Sequence, residues 1–352
     1  MKKNFKIGLF GINSSGGLSL TRSKERWMAD WKEIIKLVKY ADQNKFDFIL
    51  PLSKWKGWGG ETNPAGLSYE TFNFASLLLP ITKRIQFYST VHLPFVHPVY
   101  AAKATRTITS AHPQRYGLNL VCGLTQMEHE MFYKINKNDF SKKFKYATEW
   151  IKIFNKLIYS RSNFSFKGNF FNIKNASIYS TKLEMVPLIS AAYSDEGRKF
   201  SMGNCNILFT SFDNFEKTKR NNKILLERAK IINKKIQLYT PIHIICRKTE
   251  SEANEFHIRY SVKEQDSKAV YNYIQNFSMT NKKTLFKIMK SKSQLIASSC
   301  GFKIIKGNPK QVGEQLSELK NAHFSGAAFT FVNYLNEIKF FNEKVLSKNP
   351  LK

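Results

Sequence analysis

The sequence has only four cysteines among its 352 residues, and they lie far apart, at positions 122, 205, 246 and 300. They form no Cys-x-x-Cys pair, and no paired histidine spacing accompanies them, so nothing in the sequence indicates a zinc site. We therefore expect no metal ligands, and four buried free thiols in a reducing compartment. The chain is also far too long to be a small module stapled by disulfides.

Long apolar runs are also missing. No segment approaches the roughly 20 apolar residues that a membrane-spanning helix needs. The stretch Met1–Ile12 places basic residues before apolar ones, but its apolar part is shorter than a secretory core and leads directly into the polar, glycine-containing segment 13–17. We interpret it as a first buried strand, and we expect a soluble, cytoplasmic protein.

Acidic residues are scarce, since 26 Asp and Glu stand against 56 Lys and Arg, which gives a formal net charge of +30. Such a charge would suit a nucleic acid or an anionic membrane as partner. The surplus is mostly lysine, however, and in the segments 217–235 and 282–292 it alternates with Ile and Leu at helical spacing. That pattern is typical of the solvent-facing sides of amphipathic helices. We therefore expect no specific nucleic-acid partner and no membrane partner.

Apolar residues make up 42% of the chain and aromatic residues 14%, which is ample for a buried core. Short β-rich apolar runs alternate with longer amphipathic segments, as in parallel α/β folds. The pattern predicts a (β/α)8 TIM barrel that forms a single domain over residues 1–352. The eight predicted strands are Lys6–Ile12, Phe46–Leu50, Ile85–Thr90, Tyr116–Val121, Pro187–Ala191, Asn206–Thr210, Gln237–Cys246 and Ala327–Phe331. The predicted helices are Trp27–Asp42, Tyr69–Leu79, Val99–Ser110, Phe144–Tyr159, Asp195–Met202, Phe215–Ile232 and Pro309–Lys320.

Two insertions account for the length beyond a simple barrel. The first, at about 160–185, contains alternating apolar residues around a Lys-Gly-Asn turn within Phe164–Ile173, which predicts a β-hairpin. The second, at about 252–303, is polar and rich in lysine. We expect it to be weakly helical and to form a mobile excursion between the seventh and eighth strands.

Polar residues follow several of the predicted strands, where the chemistry of a barrel belongs. The loop 51–62 after the second strand carries two Lys, two Trp and three Gly residues, which offer cations, flat surfaces and close backbone approach. Asn119 interrupts the apolar fourth strand, so its amide must bond either the protein or a ligand. Ser194 precedes a helix with Gly197 nearby, which is either a phosphate seat or an ordinary helix cap.

Six motifs carry a family resemblance. In chain order they are Phe46-Asp-Phe with Lys54-Trp-Lys-Gly-Trp-Gly-Gly60, Arg84-Ile-Gln-Phe-Tyr-Ser-Thr90, Arg115-Tyr-Gly-Leu-Asn-Leu-Val-Cys-Gly123 with Glu128, Phe166-Lys-Gly-Asn-Phe-Phe171, Ser194-Asp-Glu-Gly197, and Gly301-Phe-Lys-Ile-Ile-Lys-Gly307. Together they resemble the bacterial-luciferase-like flavin monooxygenases. Within that group they are most similar to the pyrimidine (uracil) monooxygenase branch, whose near relatives include dimethyl-sulfone and alkanesulfonate monooxygenases.

The resemblance implies a (β/α)8 barrel that takes reduced FMN from a separate NAD(P)H-dependent flavin reductase. It implies that one atom of molecular oxygen is transferred to a small organic substrate, a pyrimidine-like cyclic amide or an organosulfur compound. Relatives commonly form dimers or tetramers, so we expect a homo-oligomer. The redox chemistry belongs to the cofactor, and the protein binds and orients it.

By matching position, the resemblance also implies roles for individual residues. Thr90 and Asn119 would line the oxygen pocket, where a hydroxyl and an amide can hold an oxygen atom without protonating it. His92, directly after the third strand, is a candidate catalytic residue that would touch the reacting groups. The residues expected to contact FMN are Ser53, Lys54, Asn119, Glu128, Lys143, Phe144 and Ser194.

The chain departs from its relatives at a turn within Thr107–Arg115, at the far end of the barrel, and at two places near the expected site. Lys143-Phe144 stands where they have Arg-Tyr, so a two-pronged phosphate contact becomes a point charge and one hydroxyl is lost. Leu124 replaces a Trp that helps to wall the active site. Two alternatives therefore stay open: a deazaflavin-dependent oxidoreductase of the same fold, and a flavin-binding or nucleic-acid-binding protein without catalysis.

Overall fold

A closed barrel of parallel strands organises the computed structural model, which describes residues 5–123, 125–132, 142–179, 184–278 and 282–348. The strands are β1 (Lys6–Phe10), β2 (Phe48–Leu50), β3 (Gln86–His92), β4 (Tyr116–Val121), β5 (Phe164–Lys167), β6 (Asn172–Ala176), β7 (Leu188–Ala191), β8 (Ile207–Phe209), β9 (Gln237–Cys246), β10 (Lys303–Gly307) and β11 (Gly326–Thr330). The main sheet runs in the order β10-β9-β11-β1-β2-β3-β4-β7-β8. It closes because β8 also pairs with β9 in parallel.

The predicted barrel is confirmed. All eight predicted strands are present, with ends shifted by two residues or fewer. A ninth strand of the sheet, β10, was not predicted, and it pairs with the carboxyl half of β9. Inside the barrel, aromatic side chains such as Phe48 and Tyr239 stack, with ring centroids 5.4 Å apart. A filled interior leaves the carboxyl ends of the strands as the place for a ligand.

Helices cover the outside of the barrel and its carboxyl end. They are α1 (Trp31–Gln43), α2 (Thr71–Leu78), α3 (Pro98–Ala111), α4 (Gln126–Phe132), α5 (Lys143–Tyr159), α6 (Asp195–Asn204), α7 (Phe215–Ile231), α8 (Glu250–Ile258), α9 (Ser267–Ser278), α10 (Lys282–Ser299), α11 (Pro309–Asn321) and α12 (Tyr334–Lys344). Within the described ranges, none of these helices combines the length and the hydropathy that crossing a bilayer requires.

The start of α1 differs from the prediction, which began this helix at Trp27. The carboxylate of Asp30 accepts hydrogen bonds from the backbone N–H groups of Lys32 and Glu33, and so caps a helix that begins at Trp31. Trp27 lies before this cap and is fully buried, and its indole donates to the carbonyl of Ile12 at 2.8 Å. Trp27 therefore belongs to the core without belonging to the helix.

The segment 252–303 was expected to be a weakly helical, mobile excursion between the seventh and eighth predicted strands; it does lie between them, but it is largely helical. It contains most of α8 together with α9 and α10, and it packs onto the carboxyl end of the barrel. Its apolar residues recur at helical spacing, and Val270 and Ile274 of α9 lie in one cluster with Leu20 and Trp58. The high lysine content masked this buried stripe, because lysine occupies the solvent faces of the same helices.

Polar contacts fasten this segment to two barrel loops. The carboxylate of Asp266 accepts hydrogen bonds from the backbone N–H and the hydroxyl of Thr62, both at 2.8 Å. Gly60 has a φ of +81°, and a Cβ there would lie 2.2 Å from Asp266 Oδ1, so glycine is required. The hydroxyl of Thr21 donates to the carbonyl of Tyr260 at 2.7 Å. Segment 252–303 therefore forms a roof over the barrel mouth.

The first insertion contains the predicted hairpin, in which β5 and β6 pair in antiparallel fashion. The carboxylate of Glu149 accepts the backbone N–H groups of Asn169 and Phe170, each at 2.9 Å. These bonds attach the hairpin turn to α5.

His243 of β9 is completely buried beneath the roof. Its Nδ1 lies 2.8 Å from the hydroxyl of Thr330, and its Nε2 lies 3.1 Å from the hydroxyl of Tyr260. Burial, together with the neighbouring His257 and Arg247, lowers the pKa of His243 to about 3. His243 is therefore neutral in the folded protein at every pH above that value.

We expect His243 to make the stability fall as the pH is lowered from about 6.5 towards 3. In this window the unfolded chain binds a proton at His243 and the folded chain does not, so the free energy of unfolding falls by up to about 1.4 kcal/mol per pH unit from this group. The variant His243→Gln cannot take up that proton, so its urea-unfolding free energy should depend less steeply on pH.

The exposed His323 provides the control for this experiment. Its φ of +62° tolerates asparagine, so we expect His323→Asn to keep the pH dependence of the unmodified protein. The prediction would be contradicted if the unfolding free energy of His243→Gln depended on pH as steeply as that of the unmodified protein.

Candidate active site

A cavity of about 760 Å³ opens at the carboxyl ends of the barrel strands. Strand ends supply its floor, the loop after β2 and the α4 region supply one wall, and the start of α6 supplies another. The roof contributes Tyr273, Cys300 and Phe302. The volume and the position are those of a small-molecule site in a barrel enzyme.

All nine residues that the sequence singled out line this one cavity, although they are spread over more than 140 positions of the chain. They are Ser53, Lys54, Thr90, His92, Asn119, Glu128, Lys143, Phe144 and Ser194. Leu124, the other departure noted in the sequence, lies outside the described residues.

The wall between the loop after β2 and α4 is held by a buried ion pair. Nζ of Lys54 lies 2.9 Å from Oε1 of Glu128, and the two side chains are only 5% and 3% exposed. Oε1 also accepts the backbone N–H of Trp55 at 3.0 Å, and Oε2 accepts the hydroxyl of Thr125 at 2.8 Å. The ammonium additionally sits 3.9 Å from the ring centroid of Trp58, a cation–π contact.

Burial and pairing act in opposite directions on these two charges. Burial lowers the pKa of Lys54, and Glu128 counters that shift. Burial opposes ionisation of Glu128, but Lys54 and the bonds from Trp55 and Thr125 hold its pKa below the usual value. The carboxylate therefore stays ionised beside Lys54.

Thr90 and Asn119 are direct neighbours across β3 and β4. The hydroxyl of Thr90 donates to the carbonyl of Pro51 at 2.6 Å and accepts from Nδ2 of Asn119 at 3.1 Å. Oδ1 of Asn119 is buried and has no hydrogen-bond partner in the part of the chain that the structure describes. A buried acceptor of this kind calls for a donor from a ligand.

His92 extends from the end of β3 into the cavity wall. Its Nδ1 accepts the indole N–H of Trp55 at 3.3 Å. The pKa of His92 is lowered to about 4, chiefly by burial, with Lys54 acting in the same direction and Glu128 opposing the shift. His92 is therefore neutral at physiological pH, and it can donate one hydrogen bond rather than a positive charge.

The opposite wall is the start of α6. Oγ of Ser194 accepts the backbone N–H of Gly197 at 3.2 Å and so caps the helix. A Cβ on Gly197 would lie 3.1 Å from Cβ of Ala192 and 3.3 Å from the ring of Phe144, so glycine permits close packing there. Nζ of Lys143 lies 5.2 Å from the centroid of the Phe144 ring. A helix N-terminus beside a lysine is an electrostatically favourable seat for an anion.

These features fit a reduced flavin phosphate. The unpartnered Oδ1 of Asn119 offers an acceptor to a ring N–H, and Lys54 and Lys143 place positive charge at two separate points of the lining. Most of the remaining lining is apolar and suits a flat ring system.

Sequence reasoning missed several lining residues, among them Trp58, Tyr273, Cys300 and Phe302. Trp58 was visible as one of two tryptophans in a strand-end loop. The other three lie in the segment interpreted as an excursion, and of them only Phe302 fell within a motif of the family resemblance.

Fold and site together define a barrel enzyme with a small-molecule cavity suited to a flavin. The sequence match is more specific, because residues 6–326 match the family described as luciferase-like monooxygenase. The chain belongs to this family, and the expected enzyme class, a flavin-dependent monooxygenase, is confirmed.

Three known proteins illustrate the relationship. The pyrimidine monooxygenase RutA of Escherichia coli O150:H5 (strain SE15) is 25% identical over 348 residues, which cover 97% of this chain and 90% of that protein. A riboflavin lyase (RcaE) solved with modified FMN and riboflavin has a TM-score of 0.83 at 15% identity, covering 98% of this chain and 91% of its own. An F420-dependent secondary alcohol dehydrogenase with an F420-acetone adduct has a TM-score of 0.72 at 16% identity, and the match covers 98% of this chain and 99% of that one. The two structural likenesses show the fold.

We expect the Lys54–Glu128 pair to respond to mutation as a coupled unit. Lys54→Met or Glu128→Gln alone leaves the other charge buried without its partner, which should lower the free energy of unfolding by about 3–5 kcal/mol. The double variant buries no unpaired charge, so its loss should be well below the sum of the two single losses. Urea unfolding followed by tryptophan fluorescence measures all three.

The exposed pair of Arg259 and Glu25, 2.7 Å apart, is the matched control. Because solvent screens it, Glu25→Gln should cost no more than about 1 kcal/mol. Strictly additive losses at Lys54 and Glu128 would contradict the prediction.

Proposed function

We propose that this protein is the oxygenating component of a two-component monooxygenase, which uses reduced FMN and molecular oxygen to oxygenate a small organic substrate. The observation that carries the proposal is the unpartnered Oδ1 of Asn119, which lies beside Thr90 in a cavity that also holds a buried cation. A separate NAD(P)H-dependent flavin reductase is the proposed partner. A cytoplasmic homo-oligomer, a dimer or a tetramer, built from one barrel domain, completes the proposal.

The lining residues divide the binding of FMN between two walls. Lys143 and the α6 start at Ser194 would hold the phosphate, while Phe144 packs nearby against Phe200 with ring centroids 5.6 Å apart. Ser53, Lys54 and Asn119 would contact the ring system, and Glu128 would act by holding Lys54 in place. Lys143 gives the phosphate a point charge where an arginine would give two parallel bonds.

When bound, reduced FMN supplies the electrons that activate oxygen. The residues of the chain contribute by orienting the reacting groups and by excluding water from them. Thr90 has committed its proton to the carbonyl of Pro51, so its oxygen is left as an acceptor and does not protonate a reacting atom. Asn119 Nδ2 is held by Thr90, which fixes the direction of the amide. His92, buried and neutral, is the proposed donor to the reacting groups.

The cavity has room for either substrate class that the family resemblance implies. A pyrimidine-like cyclic amide or an organosulfur compound fits beside a flavin in about 760 Å³. The relative that spans almost the whole chain is a pyrimidine monooxygenase, which favours the cyclic amide.

A second candidate is a deazaflavin-dependent oxidoreductase that transfers hydride without oxygen. The similarity of fold to an F420-dependent dehydrogenase favours it. Titrating the protein with reduced FMN and with reduced F420 separates the two, since tight binding of F420 alone would overturn the FMN proposal.

We expect Thr90→Val to lower substrate-dependent oxygen uptake about 100-fold while the dissociation constant for reduced FMN changes little. The substitution keeps the shape of the side chain but removes the hydroxyl that orients Asn119, and lost preorganisation of polar groups typically costs about two to three orders of magnitude in rate. Oxygen uptake is measured with a flavin reductase, and FMN binding by fluorescence under anaerobic conditions.

Ser89→Ala is the matched control for this variant. Ser89 precedes Thr90 on β3 and likewise donates its hydroxyl to a carbonyl, that of Thr71, but it does not line the cavity. Its turnover should stay close to normal. Full activity in Thr90→Val, or no binding of reduced FMN by the unmodified protein, would overturn the proposed function.

A further inference from the structure

Trp55 lies in the loop after β2, and its two N–H groups hold two different parts of the site. Its indole Nε1–H donates to Nδ1 of His92 at 3.3 Å, and its backbone N–H donates to Oε1 of Glu128 at 3.0 Å. An indole nitrogen can only donate. Nδ1 of His92 must therefore be the acceptor and carries no proton.

This hydrogen bond determines the tautomer of His92. His92 faces Glu128 and Lys54, whose opposite charges act on it in opposite directions, and burial keeps the ring neutral. A neutral imidazole has a single N–H, so with Nδ1 accepting from Trp55 the proton resides on Nε2. The ring belongs to the cavity lining, so this N–H is available to a ligand.

We propose that Trp55 is a positioning residue that holds His92 with its proton on Nε2, so that His92 meets a ligand in the cavity as a hydrogen-bond donor. The inference rests on the proposed function and deepens it, because it names a feature of the substrate. The preferred substrate carries an acceptor oxygen at this point, either an amide carbonyl or a sulfonyl oxygen. A substrate without an acceptor would leave a buried N–H unpaired, which is costly.

The indole is itself held in place by aromatic contacts. The rings of Trp55 and Phe132 meet edge to face with centroids 4.9 Å apart, and those of Trp55 and Phe95 at 6.1 Å. Phe95 and Phe132 stack on each other at 3.8 Å. These contacts fix the direction of the indole N–H, and a phenylalanine in place of Trp55 would preserve much of the packing while removing the donor.

Nuclear magnetic resonance of the protein labelled with ¹⁵N-histidine tests the inference. The chain has seven histidines, and the spectrum of His92→Gln identifies the signals of His92. In the unmodified protein we expect protonated Nε2, unprotonated Nδ1 and no titration of His92 between pH 8 and 5. In Trp55→Phe we expect exchange between both tautomers, since the indole donor that keeps Nδ1 unprotonated is then gone.

Phe132→Leu is the matched control, because it removes a ring contact of Trp55 and leaves the indole N–H. It should keep the tautomer and the titration behaviour of the unmodified protein. A proton on Nδ1 in the unmodified protein, or an unchanged spectrum in Trp55→Phe, would overturn the proposal. So would equal changes in Trp55→Phe and Phe132→Leu, since the indole N–H would then have no role of its own.

Ligand probes test the donor role. Uracil and dimethyl sulfone, added separately to the protein loaded with FMN, present a carbonyl and a sulfonyl oxygen. A downfield shift of the Nε2 proton with either probe supports the role and identifies the acceptor, and no shift with both overturns it. The tautomer experiment needs neither flavin nor substrate, so its result is independent of whether the proposed monooxygenase activity is found.

Discussion

The ion pair between Lys54 and Glu128 is the interaction on which the arrangement of the site depends. Both side chains are almost completely buried, and neither charge would be stable in that position alone. The pair joins the loop after β2 to α4, which follows β4, and the backbone of Trp55 adds a third attachment to the same carboxylate. One electrostatic constraint thus fixes a wall of the cavity and places a cation in it.

The roof makes this constraint effective, because buried charges interact strongly only where water is kept out. Asp266 and Thr62 join the roof to the loop that carries Lys54, and Trp58 packs both against the lysine and within the apolar cluster of the roof. The segment 252–303 therefore shields the site from solvent. Of the basic residues that are described, Lys54 and Lys143 line the cavity.

The polar groups around the cavity differ in what they can still offer. The hydroxyl of Thr90 already donates its proton to the carbonyl of Pro51. Asn119 donates from Nδ2 to Thr90 and keeps Oδ1 as an acceptor. His92 accepts at Nδ1 from the indole of Trp55 and keeps its own N–H as a donor. In each case a hydrogen bond to a neighbouring group determines whether the side chain offers a ligand a donor or an acceptor. Such assignment before a ligand arrives is the preorganisation that enzymes of this kind require.

The sequence by itself determined the eight barrel strands and most of the outer helices, because apolar periodicity is a local signal. The nine lining residues were named through the resemblance of the strand-end motifs to a known family. Only the tertiary structure decided that the lysine-rich segment 252–303 is a helical roof, since its buried stripe has meaning only against Leu20 and Trp58. The tertiary structure also paired Trp55 with His92 and Lys54 with Glu128. Such partners lie 37 and more residues apart in the chain, and the closure of the barrel brings them together.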